Sequence, residues 1–243
     1  MRSLFPTLLL GLAAAGLSWA LIGLYARAMR RASRLEPPNA RSMHKVPVPV
    51  GAGVGIVAST VLLWPWWDGA VTDRIAALLA GMVGLCAVSW IDDRRGLPVA
   101  VRLLAQAAAV ILCLVWLPAE ARLLPALPVA FERFLLLLAW LWFINLFNFM
   151  DGIDGLAGSE TLAVALGYVL VSAHAGGDDA SGRLAIVIAA ATGGYLFWNW
   201  HPAKVFMGDA GSIPLGFALG GLMLDLALRG HWAAGLILPL YFV

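Results

Sequence analysis

The sequence predicts an all-α polytopic membrane helical bundle, on three observations. Of its 243 residues 62% are hydrophobic and only 12% are charged, and the mean hydropathy is +0.88. A soluble domain carries about a quarter charged residues. The apolar residues also fall in long runs near the 20-residue length that a helix needs to cross a bilayer. Finally, many of the eleven Trp lie near the ends of these runs, as an interfacial belt would.

Taken in order, the runs are 4–25, 50–67, 75–91, 98–117, 133–150, 158–174, 183–200, 213–228 and 231–243, about nine spans with the last cut short. The first lacks a small-residue cleavage site and reads as a retained span. Cys86 and Cys113 lie inside apolar runs and read as buried small hydrophobes. No repeat or low-complexity tract divides the chain, so residues 1–243 are expected to form a single membrane-embedded domain. With a net charge of +2 and no basic face outside one loop, nothing points to nucleic acid.

Arg27, Arg30, Arg31, Arg34, Arg41, Lys45, Arg94, Arg95 and Lys204 fall on one side of this map. Arg2, Arg74, Arg122, Arg133, Arg183 and Arg229 fall on the other. The bias puts the odd-numbered loops in the cytoplasm. Asp92, Asp93, Asp151, Asp154 and Asp209 then share the cytoplasmic face, each beside a helix end and in three different loops. Asp225 lies deep in the eighth run and is expected to have a polar partner or bundle-facing water.

Asn145, Asn148, Asp151 and Asp154 are spaced by three where one apolar run gives way to the next, interleaved with Gly152, Gly155 and Gly158. Oxygen ligands leaving a helix at its dipole-negative end suit a cation. An EF-hand is excluded because Leu162 stands where its loop needs Glu. Asp92-Asp93-Arg94-Arg95-Gly96-Leu97-Pro98 is either a base or metal site or a solvated turn that neutralises itself. His201 through Pro214 contains Gly208, Asp209, Gly211 and Ser212. Ser212 reads as an N-cap, the glycines allow a ligand close to the backbone, and a helix N-terminus favours phosphate. Arg41, His44 and Lys45 precede a Pro/Gly-rich re-entry and suit either membrane anchoring or an anionic substrate. His174, His201 and His231 are scattered singly and read as interfacial residues.

The ordered set N-x-x-N-F-x-D-G-x-D-G-L, D-D-x-x-G and F-M-G-D-A-G-S, over residues 38 to 216, resembles the polyprenyl-phosphate N-acetylhexosamine-1-phosphate transferases. These are the initiating enzymes of O-antigen and teichoic acid synthesis and distant kin of phospho-MurNAc-pentapeptide transferase. The resemblance implies transfer of a sugar-1-phosphate from a UDP-sugar to undecaprenyl phosphate, with release of UMP. It further implies Mg²⁺ (or Mn²⁺), a cytoplasm-facing site in a bacterial plasma membrane, and a role in lipopolysaccharide O-antigen or cell-wall synthesis. By the same resemblance Asp92 and Asp93 are catalytic and handle the acceptor, and Asn148 and Asp209 are the metal positions. His44, Lys45, Asn145, Asp151, Asp154, Gly208, Gly211 and Ser212 contact substrate. Partners are the UDP-sugar, the lipid phosphate and the bilayer, with a homodimer left open.

Two departures accompany the match. Val50 stands where many relatives have Arg, and relatives continue for further spans and a His-rich loop, so the C-terminal part of the family fold is expected to be missing here. The alternatives are a truncated, non-catalytic relative that binds lipid or partners, and an ion-coupled transporter. The second is disfavoured because the acids sit at span ends and not at the bilayer midplane.

Overall fold

A computed structural model describes residues 4–35, 47–66, 72–175 and 180–239. His44 and Lys45 lie outside the described residues. Nine α-helices follow one another among the described residues: α1 (Leu4–Arg31), α2 (Val54–Leu63), α3 (Asp73–Arg95), α4 (Val99–Val115), α5 (Val129–Phe149), α6 (Leu156–His174), α7 (Ala180–Asn199), α8 (Asp209–Leu226) and α9 (Trp232–Ile237). The all-α bundle expected from composition is what forms, and the nine helices fall on the nine apolar runs.

They are not nine equal spans. Six segments are long and apolar enough to cross a membrane, and the last of these, Asp209–Ile237, runs through both α8 and α9. The 10-residue α2 and 17-residue α4 are shorter. After α8 the chain kinks at Gly230, with φ 90°, and α9 turns back along α8. There a Cβ on Gly235 would lie 2.9 Å from the Met223 carbonyl oxygen.

Helix α8 is the axle. It is buried from Ala210 through Met223 and packs against α3, α5 and α6. In a bilayer the lipid tails are as apolar as Leu, so close approach through small residues and satisfied polar groups is what favours helix association. Both devices occur where α5 meets α8. A Cβ on Gly220 would sit 2.3 Å from Trp140 Nε1, and that indole N–H donates to the Phe217 carbonyl at 2.9 Å. Leu8, Leu12, Leu104 and Trp142 point outward, as lipid-facing side chains should.

Antiparallel packing brings the C-terminal ends of α1, α3, α5 and α7 to the same end of the bundle as the N-terminus of α8. The opposite end holds the 118–128 connection, the start of α3 and the end of α8. There Asp225 has the polar partners expected of it, though at the bundle end and not at depth. Tyr168 donates to it at 2.5 Å, Arg229 lies 2.8 Å away and Arg74 3.7 Å away.

Candidate active site

Asp92 and Asp93 close α3, which ends in a left-handed Gly96 (φ 65°) whose N–H bonds the Asp92 carbonyl at 2.8 Å. Neighbours on a helix point about 100° apart, and the two carboxylates accordingly go separate ways. Asp92 is taken up locally. Its Oδ1 accepts from the Leu97 N–H at 2.5 Å, its Oδ2 from Arg102 at 3.1 Å, and its side chain is 8% exposed. Asp93 turns toward α8, accepting from the Ala210 N–H at 3.4 Å, and also faces a groove bordered by Tyr25, Met29, Arg34, Trp90 and Arg94.

The spacing of three that marks the end of α5 has a concrete result. Asn145 pairs with Gln106 of α4, donating at 2.7 Å. Asn148 donates to Asp209 Oδ1 at 2.7 Å and to Ser212 Oγ at 2.8 Å. Asp151 accepts from the Gly208 N–H at 3.0 Å. Asp154 accepts from the Ala203 N–H at 3.1 Å and lies 2.8 Å from His201 Nδ1. As the row ascends from 148 to 154, its partners descend from 212 to 201. It is an antiparallel zipper between the α5–α6 turn and the loop that leads into α8.

The other side of that loop is clamped by residues 49–53. Phe206 N–H donates to Pro49 at 2.9 Å, and the Ala52 and Gly53 N–H groups donate to Phe206 and Met207 at 3.0 Å each. The clamp is tight enough to need glycine. Gly208 has φ 69°, and a Cβ there would meet the Gly51 nitrogen at 2.7 Å. A Cβ on Gly211 would meet Gly53 Cα at 2.5 Å. The close backbone approach inferred from Gly208 and Gly211 is therefore made to another segment of the chain. Val50 gives its carbonyl to the Tyr25 hydroxyl at 2.7 Å.

One expectation is corrected. Ser212 is not the N-cap of α8, which starts at Asp209 after Gly208. Ser212 sits a turn inside, fully buried, its hydroxyl donating to the Gly208 carbonyl at 3.1 Å while accepting from Asn148. A hydroxyl inside the first turn can return its proton to a carbonyl four residues back, and here it also anchors Asn148.

Asp93, Asp151 and Asp209 are electrostatic neighbours brought from three separate segments. Asp209 is 28% exposed and lies 3.7 Å from Arg102. Among the described residues, neither Asp93 nor Asp151 has an ion-pair partner. Oxygen donors of this kind suit a hard divalent cation. No three His, Cys, Asp or Glu side chains among the described residues stand close enough to hold one ion between them. Mg²⁺ does not require that: it keeps several waters and takes one or two carboxylates together with substrate phosphates. The donor set fits such an ion, with the partly exposed Asp209 and the exposed Asp93 as its accessible carboxylates. Asn148 turns its amide N–H₂, not its oxygen, to Asp209, and so orients that carboxylate.

Asp92, Asp93, Asn148, Asp151, Asp154, Gly208, Gly211 and Ser212 thus lie at one end of the bundle, while Asn145 is turned to Gln106 and His44 and Lys45 fall outside the described residues. Three participants were not foreseen. Arg102 bridges Asp92 and Asp209, and a charge inside the apolar α4 was its available signal. Asn199, 2% exposed, joins Gly155 to Val205. His201, read as interfacial, is in fact paired with Asp154. No sequence spacing reveals the last two, because both act across the zipper.

Residues 75–227 match the family model for glycosyl transferase family 4. The chain is 31% identical over 206 residues to a Bacillus subtilis probable undecaprenyl-phosphate N-acetylglucosaminyl 1-phosphate transferase, covering 78% of this chain and 54% of that protein. It is 29% identical over 225 residues to the phospho-N-acetylmuramoyl-pentapeptide-transferase of Granulibacter bethesdensis, covering 78% of this chain and 62% of that protein. The same-named protein of Microcystis aeruginosa is 29% identical over 258 residues, across 99% of this chain and 71% of its own length. Against the first two of these relatives, the chain spans only between half and two thirds of their length. The matched region contains the whole acid cluster, from Asp92 to Asp209, and the chain belongs to glycosyl transferase family 4.

Proposed function

We propose that the protein transfers a sugar-1-phosphate, an N-acetylhexosamine-1-phosphate, from a UDP-sugar to undecaprenyl phosphate and releases UMP. This would be the first membrane step in making a cell-envelope polysaccharide such as O-antigen or teichoic acid. The reaction takes place at the cytoplasmic face of a bacterial plasma membrane. The observation that carries this reading is the convergence of Asp93, Asp151 and Asp209, with Arg102, at one end of a membrane bundle in a chain of this family.

Transfer between two anions is limited by charge repulsion and alignment, and catalysis must come from neutralisation and positioning. Mg²⁺ held by Asp209 would supply neutralisation of the donor diphosphate. Asn148 and Arg102 set the position of that carboxylate. The groove beside Asp93 admits the lipid phosphate, with Arg34 and Arg94 on its border to balance the incoming charge. A non-bridging oxygen of that phosphate attacks the β-phosphorus. The bond from the β-phosphorus to the bridging oxygen breaks, and UMP leaves with that oxygen. Asp93 accepts any proton left on the attacking phosphate, modest work because its second pKa is near 6.

The test is release of UMP from a panel of UDP-N-acetylhexosamines by the detergent-purified chain, with and without undecaprenyl phosphate and with Mg²⁺ varied. Lipid-dependent UMP release supports the reading; a panel on which no UMP appears sinks it.

A further inference from the structure

Helices α1 and α3 and the loop into α8 meet at one backbone position, Gly51. A Cβ there would lie 2.7 Å from the Tyr25 hydroxyl of α1 and 3.8 Å from Asp93 Oδ2 of α3, and a Cβ on Gly208 would lie 2.7 Å from the Gly51 nitrogen. Tyr25 enters this junction through one hydrogen bond, its hydroxyl donating to the Val50 carbonyl at 2.7 Å. Tyr25, Val50 and Asp93 also border the same groove. A phenol from the first helix thus stands where the acid cluster and the groove touch, and it precedes the region 75–227 that the family model matches.

The fold does not need that hydrogen bond to stay closed. Residues 49–53 hold the Phe206 and Met207 backbone with three bonds of their own. The Val50 side chain packs with Val48, Ala203 and Phe206. Helix α1 is fastened to α7 elsewhere, where a Cβ on Gly194 would meet the Ala15 carbonyl. What the hydroxyl does is take up one carbonyl oxygen at the edge of the groove. A bare carbonyl presents two lone pairs, and the negative end of its dipole opposes an incoming anion. Position 50 brings no cation to offset this, since Val stands where many relatives have Arg. With its hydrogen on that oxygen, Tyr25 both weakens the opposing dipole and fixes the direction of the Pro49–Gly51 backbone.

We infer that Tyr25 is a positioning residue for the acceptor lipid phosphate: by capping the Val50 carbonyl it sets residues 49–51 as a groove wall that does not repel the phosphate. This rests on the reading of the groove given above. A wall contact of this kind acts on the bound acceptor before and during transfer alike, so it lowers the acceptor's KM and leaves kcat alone.

Tyr25→Phe keeps the ring and removes the donor. Two measurements on the full chain in detergent test the inference: equilibrium binding of undecaprenyl phosphate, and UMP release with the lipid phosphate and the UDP-sugar varied in turn. The variant is expected to bind undecaprenyl phosphate about 3–10-fold more weakly and to show the same rise in its KM, the scale of one hydrogen bond. Its kcat and its KM for the UDP-sugar should stay at the wild-type values. Tyr25→4-aminophenylalanine, whose amine still donates, should recover most of the lost affinity, which a merely structural defect would not allow. Equal binding of lipid phosphate by the wild type and Tyr25→Phe overturns the inference, as does a rise in both KM values or an amino variant no better than Tyr25→Phe. The binding arm separates the two readings. A wild type that binds the lipid phosphate but releases no UMP sinks the proposed function alone; one that binds no lipid phosphate sinks both.

Discussion

The two ends of the bundle both carry acidic side chains, in opposite states. At the end holding the 118–128 connection, Glu132 is fully buried. Its carboxylate takes the Arg122 guanidinium together with the N–H groups of Leu123 and Leu124, at 2.6 and 3.1 Å. Arg122 also donates to the Leu127 carbonyl, and Arg133 holds the Pro118 and Ala121 carbonyls at 2.9 and 3.0 Å. Asp225 nearby has Tyr168, Arg229 and Arg74. Glu132 and Asp225 are each matched by a cation, and their interactions end with the protein. At the other end Asp93, Asp151 and Asp209 are packed near one another, and of the three only Asp209 meets a cation, Arg102, among the described residues. A carboxylate closed on protein partners holds a fold together; clustered carboxylates left open are the mark of a site.

The largest effect should come from breaking the closed end. Glu132→Ala strands the Arg122 guanidinium and two N–H groups in a water-poor setting, and removing one partner of a buried pair costs about 3–5 kcal/mol. Thermal unfolding in detergent should show that loss, while UMP release per folded molecule stays at the wild-type level. A loss of activity without a loss of stability would mean the closed end is not merely structural. Next is Asp209→Asn, which keeps shape and removes charge. UMP release should fall about 10²–10³-fold, the scale of losing one preorganised electrostatic contact, with the melting temperature unchanged or raised because like charges nearby are relieved. The two variants together form a double dissociation, stability at one end and turnover at the other.

The sequence contrasts these ends only in part. The bundle itself was legible, because lipid solvent imposes long apolar runs and leaves little else to decide. The acids of the site were legible too, since Asp151 and Asp209 each sit beside a glycine at a helix end, and Asp92 and Asp93 lie one turn before Gly96. What could not be read was partnership. Nothing in the row 145–154 says that Asn145 pairs with Gln106 across to α4 while Asn148 pairs with Asp209 in α8, because those partners are set by how the helices are docked. Ser212 was misplaced for a related reason. Its type and position suit an N-cap, but the docking of Asp93 and Asp151 onto the Gly208–Ala210 backbone lets the helix begin earlier, at Asp209.

Arg102 sharpens the contrast, because it belongs half to each state. It lies 3.1 Å from Asp92, a closed pair, and 3.7 Å from Asp209, an open one. Arg102→Met should lower kcat/KM about 10–100-fold, in line with about 1.5–3 kcal/mol for a hydrogen bond to a charged group. Its stability cost should be smaller than that of Glu132→Ala, because 36% of the Arg102 side chain is exposed and water replaces part of what is lost. Steady-state kinetics over a lipid phosphate series, set beside melting curves, checks both.

The smallest effect offers the sharpest test, because it separates two residues that are adjacent in sequence. Asp92 and Asp93 read as one motif, and a shared catalytic role predicts similar damage from replacing either. The helix sends them apart. Asp92 accepts from the Leu97 N–H at 2.5 Å and from Arg102 at 3.1 Å, completing the turn from α3 into α4, while Asp93 reaches the Ala210 N–H and the groove. Asp92→Asn can keep one acceptor oxygen on Leu97 and loses mainly the charge partner of Arg102. That should cost about 1 kcal/mol of stability and no more than about tenfold in kcat, some of it through a looser Arg102. Asp93→Asn removes a carboxylate that has no cation of its own among the described residues, and should cost about 10²–10³-fold in kcat, as at Asp209. A ratio near one between the two variants, measured as UMP release at saturating donor and lipid, would show that closure by protein partners does not separate structural from catalytic carboxylates in this bundle.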